Sequence, residues 1–133
     1  MLEQANDYRD ECDALFTLCD REIKDWNQVT QFKNWTINDI FAHLHFFDQA
    51  ACLSLTDQKA FRKLAAGLIE AIQAQTGHLK YTHEYLEGLS GQDLFRKWHA
   101  YAHNLSKSFL HADPKQRVQW FGPEMSTLSS ISA

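Results

Sequence analysis

W-T-I-N-D-I-F-A-H-L-H-F-F-D, from Trp35 to Asp48, decides the reading of this chain as helical. Thr36 is placed to cap, because its hydroxyl can accept a hydrogen bond from a free amide of the first helical turn. Asp39 completes a capping-box pattern and sets negative charge at the positive end of the helix dipole. Trp35 before the cap and Ile40 after it can form a hydrophobic staple. Ile37, Ile40, Phe41, Leu44, Phe47, Ala51 and Leu55 recur at helical spacing and project as one stripe. Asp48 projects near the middle of that stripe, and His43 lies on its flank, about a quarter-turn from the centre at about 100° per residue. A carboxylate facing a core is costly unless paired. Asp48 therefore meets a cation, orients a histidine on a neighbouring helix, or accepts a hydrogen bond between helices. His43 is close enough to the stripe to face a bundle interior, either as a hydrogen-bonded boundary histidine or as a metal ligand.

The rest of the chain extends the helical pattern. Only 2 prolines and 5 glycines interrupt 133 residues, and no convincing alternating strand is present, so the expected fold is all-α. A first helix is expected over Glu3–Lys24, with Tyr8, Cys12, Leu15, Phe16, Cys19 and Ile23 on one face. The aromatics of the Trp26–Trp35 connection are expected to pack over the bundle end. Asp57 caps a third helix whose stripe is Phe61, Leu64, Ala65, Leu68 and Ile72, with Thr76-Gly77 as its stop. His78–Gly88 reads equally as an extension or as a short separate helix. Ser90 caps a fourth, with Leu94, Phe95, Trp98, Tyr101, Ala102, Leu105 and Phe109 as its stripe and Asp113-Pro114 as its stop. Val118 to Pro123 forms an aromatic turn, and Pro123–Ala133 reads as a fifth helix just beginning. Antiparallel helices joined by short loops make a bundle of about four, and bundles build sites from side chains on facing helices. One domain over residues 1–133 is expected.

Composition narrows the partners. A formal net charge of −4 without a Lys/Arg cluster argues against nucleic acid. No apolar run approaches the ~20 residues of a membrane span, and the polar, acidic N-terminus does not read as a signal peptide, so the expected location is the cytoplasm. Cys12, Cys19 and Cys52 are odd in number and lack C-x-x-C spacing, which argues against a disulfide framework or zinc knuckle. Cys12 and Cys19 read as small buried hydrophobes. No glycine-rich phosphate loop or Gly-x-Ser-x-Gly nucleophile motif is present. Of the 7 histidines, His99 and His103 have metal-ligand spacing on one helix face. His103 projects nearly opposite the apolar stripe, beside Arg96 and Lys107, so the pair is expected on a solvated polar face. Phe46 also projects away from the stripe of its helix, and that surplus apolar surface is the expected seat of a dimer interface.

The Trp35–Asp48 segment resembles the W-T-x-x-D-x-x-x-H-L-x-x-x-D signature of the DinB-like superfamily. The closest branch is the one containing the N-terminal domain of mycothiol-dependent maleylpyruvate isomerase. Thr56-Asp57 with Phe61, then Trp98, then Trp120-Phe121-Gly122-Pro123-x-Met125-Ser126 extend the resemblance over nearly the whole chain. It implies a four-helix bundle, often a homodimer, holding a divalent metal, zinc or nickel, through three side chains. His43 matches the first ligand. Asp48 would line the cofactor site. The other two ligands follow the W-F-G-P-x-M-S turn by about twenty residues in that branch, and Ala133 precedes that point, so the chain reads as the front part of a longer protein with its last helix incomplete. The implied chemistry is a metal-activated low-molecular-weight thiol attacking an electrophilic small molecule, in transfer or cis–trans isomerisation. The competing expectation is a non-catalytic bundle that acts by dimerisation or protein association.

Overall fold

The computed structural model describes residues 2–75, 77–121 and 125–132. Helix α1 spans Gln4–Glu22, α2 Ile37–Thr56, α3 Gln58–Gln73, α4 His78–Tyr85, α5 Gly91–Leu110 and α6 Thr127–Ser132. The fold is an all-α bundle with one small addition. Arg117–Val118 (β1) pairs antiparallel with Met125–Ser126 (β2), a two-residue ladder that leaves no room for an alternating pattern. Among the described residues no helix is long and apolar enough to cross a membrane.

Helix α2 starts as its cap residues dictate. The Asp39 amide donates to the Thr36 hydroxyl at 3.1 Å, and the Thr36 amide donates back to the Asp39 carboxylate at 2.9 Å. Asp57 caps α3 by accepting from the Ala60 amide at 3.1 Å. His78–Tyr85 is a separate short helix, because positive φ at Gln75 and Gly77 turns the chain between α3 and α4. Thr76, expected to help stop α3, lies outside the described residues, as do Gly122, Pro123 and Ala133, on which the aromatic turn and the fifth helix partly rested.

Helix α5 lies between α1 and α2, while α3 and α4 pack on the other side of α2. One core cluster joins Cys12 and Cys19 of α1, Phe41 and Ala42 of α2, and Leu94, Phe95, Trp98 and Ala102 of α5. A second joins Phe46 and Ala50 of α2 to Phe61, Leu64, Ala65 and Leu68 of α3. Trp26 packs on Phe95, at 5.0 Å between ring centroids, and on Phe41, so its connection does cover a bundle end. Helix α2 is thus enclosed from two sides, which a one-stripe projection does not anticipate. Phe46, expected as surplus surface, is fully buried against α3 and α4. Ile72, expected in the α3 stripe, is instead 55% exposed.

The start of α5 departs from expectation. The Ser90 side chain makes no capping hydrogen bond. The free Gly91 amide donates to the Asn38 side-chain oxygen at 2.6 Å, and the Asn38 side-chain amide in turn donates to Asn27 Oδ1 at 2.9 Å. A side chain from the first turn of α2 therefore satisfies the first free amide of α5, one that a local cap at Ser90 would not reach.

Candidate functional site

His43 sits on the face of α2 that meets the Trp26–Trp35 connection and α4. Its ring lies 4.6 Å from Phe47, 5.4 Å from Trp35 and 6.0 Å from His78, centroid to centroid. Burial lowers its pKa, and the nearby His78 and Lys33 charges lower it further, so the imidazole is neutral at neutral pH. Its Nδ1 is buried without a hydrogen-bond partner among the described residues. A neutral imidazole with a free ring nitrogen has the chemistry of a metal ligand. His78 adds a second imidazole. Among the described residues, no carboxylate or thiol joins the two into a group of three ligating atoms. The residues around His43 therefore fit a metal in donor type and do not complete its coordination.

Asp48 lies elsewhere. Five residues on from His43, it points toward α1, where the Tyr8 hydroxyl donates to its Oδ1. Its Oδ2 has no partner among the described residues. Burial raises the carboxyl from its ordinary 3.8 to about 7, against a smaller lowering by the Tyr8 hydrogen bond. Asp48 borders a cavity of about 110 Å³ with Tyr8, Phe47, Ala51, Leu105, Trp120, Ser130 and Ile131. The Ser130 hydroxyl on this cavity is also buried without a partner among the described residues. Of the sequence alternatives, Asp48 is the interhelical acceptor. It shares a helix with His43 and, between the two, the Phe47 ring, but the carboxyl itself faces α1.

The remaining titratable groups separate into structural and unexpected. His45 is buried, and its pKa falls to about 4 through desolvation and the Lys97 charge, so it is a neutral core histidine bonded to Gln49 at 3.0 Å. Cys12 is buried, and desolvation pushes its thiol up to about 12, which excludes a thiolate nucleophile there. His83 of α4 bonds the capping Asp39 at 2.8 Å. His99 and His103 are not simply solvated. Asp13 of α1 faces both, with its Oδ1 at 2.7 Å from His99 Nε2 and 2.5 Å from His103 Nε2. The projection of α5 alone missed this because the partner comes from a different helix. Tyr8 and His78 were also missed as site residues: one read as plain apolar-face packing, the other lay in the ambiguous segment.

The bundle, its capped second helix and the order of these residues define a DinB-like helical protein. The chain belongs to the family described as mycothiol maleylpyruvate isomerase N-terminal domain, which matches residues 8–133. It is 28% identical over 128 residues to an uncharacterised protein of Mycobacterium tuberculosis strain CDC 1551 / Oshkosh, and equally to one of strain ATCC 25618 / H37Rv. Each alignment covers 96% of this chain and 49% of the relative, so the chain spans about half the length of the curated relatives it matches. No solved structure matches the chain.

Proposed function

We propose that this chain is a divalent-metal-binding domain of the class that serves thiol-dependent transferases and isomerases, with His43 as a zinc or nickel ligand and Asp48 lining the neighbouring cavity. The observation that carries the reading is the neutral, half-buried His43 imidazole with an orphaned Nδ1 beside a second imidazole, His78. A buried polar atom without a partner costs free energy, and a metal ion would use that lone pair. Membership of a family named for mycothiol-dependent isomerisation supplies the reaction class. Further ligands must come from outside the described residues or from a second copy of the chain. What this chain contributes by itself is a water-poor aromatic wall of Trp35 and Phe47 around one ring, which holds that imidazole neutral.

Zinc and nickel content of the purified chain, measured beside His43→Ala, tests the reading. Metal that is bound by the parent and reduced in His43→Ala supports it. Equal metal in both, at any level, sinks it.

The competing reading is a non-catalytic bundle that works by self-association. What favours it is the outer face of α3, where Ile69 and Ile72 are 42% and 55% exposed beside an open cleft lined by Phe61, Ala65, Ala66 and Trp120. A monomer that stays monomeric over a wide concentration range in sedimentation counts against it.

A further inference from the structure

The contact between α1 and α5 carries a second arrangement of metal-binding side chains that shares no residue with His43. His99 and His103 are one helical turn apart on α5, so their side chains share one face. The His99 ring is pinned flat on Phe16 of α1, at 3.9 Å and 14°. His103 meets His99 edge-on at 4.8 Å. Both rings present Nε2 to the same carboxylate oxygen of Asp13, and the three ligand atoms all lie within 4.8 Å of one another. The side chains are 43%, 25% and 35% exposed for Asp13, His99 and His103, enough for an ion and its waters to enter.

We propose that Asp13, His99 and His103 form a divalent transition-metal site that staples α1 to α5, with at least one coordination position left to water. Two imidazoles and one carboxylate suit zinc, nickel, cobalt or ferrous iron rather than calcium or magnesium, which prefer all-oxygen shells. Little movement is needed. Ligand atoms about 2.0–2.1 Å from a tetrahedral ion stand about 3.3 Å apart, so Asp13 withdraws by less than about 1 Å and the ion takes the place of the two shared hydrogens, each neutral ring then carrying its hydrogen on Nδ1. The two imidazole nitrogens already face one carboxylate oxygen, and from within 4.8 Å of each other they close toward the same spacing by side-chain rotation. Binding joins two helices that are distant in sequence, and it favours the folded chain by mass action.

Zinc titration by calorimetry and by thermal unfolding, on the parent chain and on His43→Ala, tests this. In His43→Ala, one zinc per chain is expected, with a rise in unfolding temperature. Adding His103→Ala or Asp13→Ala to that background is expected to weaken binding at least tenfold and abolish the rise. Asp13→Asn keeps the size and a hydrogen-bond acceptor, so it separates loss of a ligand from loss of packing, and it too is expected to weaken zinc at least tenfold. Cobalt(II) in place of zinc is expected to give a visible ligand-field band that His103→Ala removes. Zinc affinity unchanged by His103→Ala or Asp13→Asn, or no zinc bound by the His43→Ala chain, overturns the proposal and leaves the three residues as a hydrogen-bonded clamp. Neither result depends on whether His43 itself holds metal.

Discussion

The Tyr8 phenol of α1 donates its hydrogen to one oxygen of Asp48 on α2, and the second oxygen of that carboxyl is buried without a partner among the described residues. One hydrogen bond does not offset removing a carboxylate from water, so the protonated form is favoured and the group titrates at about 7 instead of its ordinary 3.8. The stability consequence has a definite sign. Between these values the folded state keeps a proton that the unfolded state has released. The benefit of protonated Asp48 is complete below about pH 4 and is lost as pH rises through about 7. At about 1.4 kcal/mol for each whole pH step, the loss approaches roughly 4 kcal/mol. Asp48→Asn is therefore expected to flatten the fall in stability between pH 4 and 8. At pH 8 it is expected to be more stable than the parent by roughly 1–3 kcal/mol, measured by urea unfolding across that range.

Removing the other partner acts in the opposite direction. Tyr8→Phe deletes the hydrogen bond from the Tyr8 phenol to Asp48 Oδ1 and leaves the ring volume in place. The ionised carboxylate then loses its donor, so Asp48 is expected to titrate higher than in the parent. Stability at pH 8 is expected to fall by about 1–3 kcal/mol, with a smaller effect at pH 4.5. Carboxyl resonances followed by NMR give the titration, and urea midpoints give the stability. An unchanged Asp48 titration would remove Tyr8 from the account.

Phe46 separates two uses of an apolar side chain. The ring is fully buried, with Tyr81 and Tyr85 edge-on at 5.9 and 5.3 Å. Phe46→Ala is expected to cost about 3–5 kcal/mol through lost burial and a cavity. It is expected to leave the association state of the remaining folded chain unchanged in sedimentation. A change in oligomer without a change in stability would restore the surface role that the projection of α2 suggests.

What the sequence makes legible here is what lies within one helix. The Thr36–Asp39 box, the Asp57 cap, the stripes of α1 and α5 and the burial of Cys12 and Cys19 all follow from spacing over a few residues. What it hides is set by which helix packs against which. Phe46 is buried because α3 and α4 fold back over the second side of α2. His103 finds Asp13 because α1 crosses the face of α5 that a lone projection assigns to solvent. Asp48 was visible as an acid on an apolar stripe, whereas its donor 40 residues earlier was not. The candidate site is legible to the same extent: His43 stands out on its own helix, but His78 arrives from a segment whose helical state the sequence leaves open.

The start of α5 turns this contrast into a measurement. Local reading places a cap on Ser90, whose side chain makes no capping bond, while Asn38 accepts from the Gly91 amide through its side-chain oxygen and donates to Asn27 through its amide. Gly91 has φ of 62°, a left-handed conformation that turns its amide toward α2. Ser90→Ala should then change stability by no more than about 0.5 kcal/mol, as for a surface substitution. Asn38→Ala leaves the Gly91 amide without its acceptor and frees Asn27, so it should cost about 1–2 kcal/mol, the scale of a lost helix cap. The double variant should match Asn38→Ala alone, since Ser90 gives up nothing. Urea unfolding of the three variants against the parent decides it, and a larger cost for Ser90→Ala than for Asn38→Ala would return the cap to the local pattern.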